Sequence, residues 1–593
     1  MEGFSRERNE SLPRWDLGDL YSGMDTPELA QDLERARGLA KDFGQRYRGR
    51  LEALDGAGLG GAIGAYEGIS ELLAKVTSYA QLNFAADMGD GERGSFLQTM
   101  RERVTDISTE TLFFTLEINR LDGRVLDRQL EDPLAARYAP WIRDVRAFRD
   151  HQLSDEVEKL LHEKAVTGGV AWVRLFEETC ADLRFPVDGE DMTLTDVLDK
   201  LSDADGAVRR RAAKSLGRVL GDNRRLFALI TNTLAKDKAI EDRWRAYPKP
   251  VSHRNLSNHV ADEVVDALVS SVKGAIPELA HRYYRIKARW FGVDVLDYWD
   301  RNAPLPGDDR RYGWDEAVRL VLAAYGGFAP EMASIAGRFL ERSWIDAEPR
   351  PGKDSGAFSH PTVPSAHPYI LMNFHGKGRC VMTLAHELGH GIHQVLSAPQ
   401  GALMADTPLT TAETASVFGE MLAFRALLDA STGSGRRALL AGKVEDMLNT
   451  VVRQIAFHEF ETRVHDERAD GELSPERLGD IWLDVQRMSL GPAIRFDEEY
   501  RHYWAYIPHF LHTPFYVYAY AFGDCLVNSL YGVFQDGHPG FAEKYLSLLE
   551  AGGTMRLDEM LAPFGLDATE PDFWRRGLGV ISGFIDELEA MDG

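Results

Sequence analysis

A mostly helical fold is predicted by three features of the 593-residue sequence. Apolar residues recur three and four positions apart among charged ones over long stretches, the mark of amphipathic helices. Alternation of the strand type is scarce. Gly and Pro, at 54 and 25 residues, stay near average usage and leave room for long regular segments. Hydrophobic residues at 44% and charged residues at 27% exclude disordered, collagen-like and disulfide-scaffold chains.

Taken in order, the helical pattern runs through residues 26–54, 154–168, 205–244 and 261–290. Residues 185–201 could hold a short hairpin, and 367–374 (HPYILMNF) make the best single strand. Two Pro/Gly-rich passages, 302–314 and 346–368, read as structured loops because periodic, apolar sequence flanks them. A boundary near 190–200 divides a helical N-terminal lobe, 1–195, from a longer portion, 196–593. No internal repeat or low-complexity tract is found.

The net charge of −25 argues against nonspecific nucleic-acid binding and against docking on anionic lipid. Cys180, Cys380 and Cys525 lie far apart and form no CxxC pair, which suits a reducing compartment. The charged N-terminus lacks the apolar core of a signal peptide, and the apolar run 321–329 is too short to span a bilayer. A cytoplasmic location is expected.

Histidine marks two places. Six of the 17 fall between His360 and His393, and His502, His509 and His512 lie in an aromatic stretch. Clustering of a residue that binds metals and moves protons near neutral pH raises the prior for a site in both.

The stretch 380–396 contains H-E-x-x-H as His386, Glu387 and His390. Val381, Leu384, Leu388, Ile392 and Val395 give it a helical period. On a helix, residues four apart share one face about 6 Å apart along the axis. Two imidazoles there can reach one zinc ion, and Glu387, about 100° round, can act as general base on a water at the metal. In this composition chance supplies about 0.08 such motifs.

A catalytic zinc needs a third protein ligand and an open position. Residues 407–422 read as a second helix carrying Glu413 and Glu420. Glu413 suits the third ligand; alternatively Thr410-x-x-Glu413 is a capping box. Glu420 could orient a ligating histidine, or be an exposed charge. His393 lies a turn too far along to share the ion easily and reads as a supporting or packed polar residue.

The strand 369–374 leads into this helix. It could pair a free edge with an extended peptide, or be a plain buried strand. In 502–523 the density of Tyr and His exceeds core needs; it supplies either oxyanion stabilisers or an aromatic core with its hydroxyls at the surface.

These residues together resemble an oligoendopeptidase F-type member of the M3, thimet oligopeptidase-like, metallopeptidases. The resemblance spans nearly the whole chain. It is carried by PRWDLGDLYSG (13–23), the passage from HPYILMNF through AHELGHGIHQ, ETASVFGEML, and PHFLHTPFYVYAYAFG. It implies a helical, zincin-like ellipsoid with a deep channel admitting short peptides and a small sheet beside the HExxH helix. It further implies one Zn2+ held by His386, His390 and Glu413, with Glu387 activating water. His509 and Tyr516 match best the histidine and tyrosine that stabilise the transition state. Tyr520 lies behind them, and with His512 is assigned to substrate binding.

The expected activity is zinc-dependent endopeptidase cleavage of oligopeptides. A peptide-binding protein with structural zinc and a carboxypeptidase of similar fold are the alternatives. The carboxypeptidase would need a cationic group for the substrate carboxylate, and no candidate stands out in the sequence.

Overall fold

The computed structural model describes residues 12–165, 167–305 and 310–592. The start of the chain, read above for a leader, and residues 306–309 of the 302–314 loop lie outside them. Helices dominate, as the periodicity predicts, with small sheets among them. Among the described residues no helix is long and apolar enough to cross a membrane.

The chain forms two compact units, each built from separate stretches. The first comprises Met1–Arg149, Asp309–Ala430 and Gly537–Gly565; the second comprises Asp150–Asp308, Ser431–Asp536 and Leu566–Gly593. The boundary drawn near residue 195 falls within the second unit.

In the first unit, the helix Pro27–Tyr47 lays Leu29, Leu33, Ala36, Ala40 and Phe43 against the long helix Gly56–Ala86. The three-stranded sheet comprises β1 (Ile345–Asp346), β2 (Phe358–His360) and β3 (Tyr369–Leu371). Its order is β1-β3-β2, with β3 parallel to β1 and antiparallel to β2. The segment expected to offer a free edge is therefore the central strand. Tyr369, Ile370 and Leu371 are fully buried, and Ile370 and Leu371 are paired on both sides, so of the two readings of that segment the plain buried strand holds.

After the sheet, α1 (Gly378–Ser397) buries Val381, Leu384, Leu388 and Ile392. It packs along α2 (Thr414–Asp429). Gly389 permits the close approach: a Cβ there would stand 2.5 Å from the Ala415 carbonyl oxygen. The helix Phe541–Glu550 returns from much later in the chain to pack on α1, and Tyr545 donates a 2.7 Å hydrogen bond to the Thr414 carbonyl.

In the second unit the 185–201 hairpin appears as Phe185–Val187 paired with Glu190–Met192. Asp188 and Gly189 turn it at φ 55° and 88°, the positive pair a two-residue hairpin turn needs. The patterns at 205–244 and 261–290 each divide, at Asn223 and around Pro277. Farther on, α3 (Val452–Asp470) packs on both α4 (Pro475–Leu490) and α5 (Tyr518–Gln535).

Candidate active site

The site begins with the face that α1 turns away from its apolar contacts. His386 and His390 lie one turn apart on it, with ring centroids 5.0 Å apart. The predicted second helix is broken. A short turn, Leu409–Ala412, ends at Glu413, and α2 starts at Thr414. Glu413 therefore occupies the junction, and its side chain caps neither segment. Its Oε2 lies 3.4 Å from Nε2 of His386 and 3.4 Å from Nε2 of His390. The Ser416 hydroxyl donates to the same oxygen at 2.6 Å. Glu413 points at the histidines; the capping-box alternative does not hold.

Among the described residues, His386, His390 and Glu413 form a group whose ligand atoms all lie within 4.8 Å of one another, close enough to hold one metal ion. Ligands about 2.1 Å from a tetrahedral ion stand about 3.4 Å apart, which is the separation Glu413 keeps from each histidine. Glu420, two turns into α2, accepts a 3.2 Å hydrogen bond from Nδ1 of His386, leaving Nε2 to face Glu413. Of its two readings, the orienting partner holds.

The electrostatics describe a site short of positive charge. Burial opposes charge on His386. The hydrogen bond to Glu420 and the fields of Glu413, Glu387 and Glu420 outweigh it, raising His386 to about 9. Burial likewise works against ionised Glu413, but the bond and charge of His390, then His386 and Ser416, pull it down to about 2. Glu387 is 5% exposed, and burial raises it above the usual carboxylate range despite His386 and His390. His393 is buried, its Nε2 lacks a partner among the described residues, and burial lowers it to about 4, so it is a packed neutral imidazole.

The aromatic stretch lies in the second unit. A 3-10 segment, Glu498–Tyr506, leads to the short helix His509–His512, and Phe515 turns the chain at φ 61° before α5. His509 Nε2 lies 3.4 Å from the Tyr520 hydroxyl; the Tyr516 and Tyr520 rings meet edge-on at 5.3 Å. These three gather, whereas His512 turns to Glu177 at 3.4 Å. Tyr518 is buried, its hydroxyl accepting from Asn258 at 2.9 Å.

Sequence reasoning missed Ser416, which braces Glu413, and Tyr325, which donates to the Ala385 carbonyl beside His386. Neither belongs to a motif; each is placed by a neighbour met only in the fold.

The family model described as peptidase family M3 matches residues 330–580, a span that includes α1 and α2. A second model, described as oligopeptidase F, matches residues 117–185. Over these residues the chain resembles peptidase family M3. It is a metallopeptidase, a hydrolase of peptide bonds acting on oligopeptides. The chain is 27% identical to oligopeptidase PepF of Bacillus subtilis, covering 97% of this chain and 87% of that one. It is 26% identical to group B oligopeptidase PepB of Streptococcus agalactiae, covering 99% and 98%. In fold, it matches the crystal structure of oligoendopeptidase-F from Enterococcus faecium with a TM-score of 0.69 at 24% identity, over 95% and 97% of the two chains.

Proposed function

We propose that this peptidase is a zinc-dependent endopeptidase that cleaves internal bonds of short peptides in the cytoplasm, with one zinc per chain. The observation that carries the reading is the convergence of His386, His390 and Glu413 at tetrahedral spacing, with buried Glu387 next in sequence to a ligand. When bound, zinc supplies Lewis acidity toward the scissile carbonyl and makes water acidic near pH 7. Glu387 takes the proton of the attacking water and returns it to the leaving amine. Its raised proton affinity, caused by burial, suits both halves of that transfer. Glu420 holds His386 in the tautomer that presents Nε2.

His509 and Tyr516 are assigned to the oxyanion, with Tyr520 and His512 contacting the peptide. The stretch 196–593 is the catalytic region, and 1–195 an N-terminal region of the oligoendopeptidase F type.

The test is cleavage of an end-blocked, internally quenched peptide. Wild-type cleavage should vanish with a chelator and return with zinc. Glu387→Ala should keep its metal yet lose at least about 10²–10⁴-fold in turnover. Normal cleavage by that variant would sink the mechanism.

A further inference from the structure

The second unit carries a half-open pocket of about 270 Å³ whose wall includes Arg301, Arg453, Trp482, Gln486 and the tyrosines Tyr500 and Tyr506. All come from one unit: Arg301 follows the 3-10 turn Tyr298–Asp300, Arg453 opens α3, and α4 supplies Trp482 and Gln486. Among the described residues, neither guanidinium forms an ion pair or hydrogen bond. The nearby carboxylate Glu445 is committed elsewhere, to the Lys287 ammonium and the Tyr283 hydroxyl at 2.6 Å each.

Unpaired cations on a partly buried wall are costly unless something answers them. Burial and the neighbouring charge of Arg301 both lower the proton affinity of Arg453; burial opposes the charge on Arg301 as well, but the fields of Tyr284, Tyr500, Tyr506 and Glu445 outweigh it and raise Arg301. Part of the charge of Arg453 is met by the face of Phe457, 4.9 Å away. That ring does not satisfy the guanidinium N–H groups.

The cavity carries further donors. Tyr500 donates to Oε1 of Gln486 at 3.0 Å, fixing the amide so that its buried NH2 has no acceptor among the described residues. The indole N–H of Trp482, also buried, has none either. Two guanidinium forks line a pocket of about 270 Å³, with the Gln486 amide NH2 and the Trp482 indole N–H buried in its wall. Planar forks match planar oxygen acceptors, and the space is roomy for a lone halide.

We propose that this pocket is an oxyanion site, built to take a carboxylate or phosphate group between Arg301 and Arg453. Two sources share that chemistry: a free small anion, or the C-terminal carboxylate of a bound peptide.

The test is thermal unfolding of the full-length protein against inorganic phosphate at constant ionic strength, with calorimetry of the same titration. Wild-type Tm should climb with phosphate, and Arg301→Gln and Arg453→Gln should each bind it at least about tenfold more weakly. Gln486→Glu offers an internal carboxylate in the same cavity. It should raise Tm in phosphate-free buffer and abolish the phosphate response, a result readable even where an arginine variant fails to fold. A wild-type protein indifferent to phosphate, or an undiminished response in Gln486→Glu, would overturn the proposal.

A peptide with a free C-terminus that displaces phosphate, while its C-terminal amide does not, identifies the peptide as the source. Phosphate binding that neither peptide disturbs identifies a free anion.

Discussion

Glu461 is 2% exposed in the second unit, where Oε1 accepts the Phe515 N–H at 2.7 Å and Oε2 has no partner among the described residues. Phe515 needs that hold, because a bulky residue at φ 61° is strained. The next residue is Tyr516, so a buried acid sets the entry to the His509–Tyr516–Tyr520 group. Burial raises Glu461 to about 8, against the Phe515 N–H and the charges of Arg254 and Lys238. The rings of His458 and His465 flank Phe515 and are pushed by burial to about 4 and about 3, hence neutral. The folded protein therefore keeps the Glu461 proton after the unfolded chain has lost it, starting from 4.5. The unfolded state binds fewer protons in that window, so this group's contribution to stability falls as pH rises from about 4.5 to about 8. Glu461→Gln keeps the acceptor without the titration. Its stability relative to wild type should rise between pH 5 and pH 8 by a few kcal/mol in urea unfolding. An identical difference at the two pH values would rule the argument out.

At the scale of elements, the α1–α2 contact decides the metal centre. Gly389 faces the Ala415 carbonyl and the Ser416 Cα, at 2.5 and 2.6 Å from an added Cβ, and both are backbone atoms that cannot yield by rotating. Gly389→Ala should force α2 outward and carry Glu413 away from the histidines. We expect zinc affinity to fall about tenfold or more in a chelator competition and stability to drop by about 1–3 kcal/mol. Unchanged affinity would show that the helices can part without moving Glu413.

The same pair shows what the sequence makes legible. His386, Glu387 and His390 can be read because a helical period fixes their mutual geometry, and the apolar residues Val381 to Ile392 fix which face is buried. Glu413 is legible as a ligand type at a workable distance along the chain. The break that aims it is not, because it depends on neighbours such as Ser416 and Tyr545 meeting the chain there. The central place of Tyr369–Leu371 was equally hidden, since its partners come from 345–346 and 358–360 through loops with no pairing signal. The unpaired state of Arg301 and Arg453 is a property of what surrounds them, and no local pattern announces it.

At the scale of the whole molecule, each unit is assembled from three stretches of chain. The first unit needs Gly537–Gly565, which supplies the helix packed on α1. Phe541 and Tyr545 are buried there against Phe328 and Phe418. A fragment ending at Asp536 keeps all three ligands but leaves that aromatic cluster open. It should bind zinc more weakly than the full chain, by about tenfold or more, in a metal titration accompanied by circular dichroism. Wild-type affinity in the fragment would show that the late helix is dispensable.

That late helix also sets a timetable. On the ribosome, His386, His390 and Glu413 emerge well before the segment that closes the wall behind them. A growing polypeptide therefore carries the three ligands before the helix that packs on α1 has been made. Until then the wall behind Glu413 lacks the Tyr545 hydroxyl that donates to the Thr414 carbonyl.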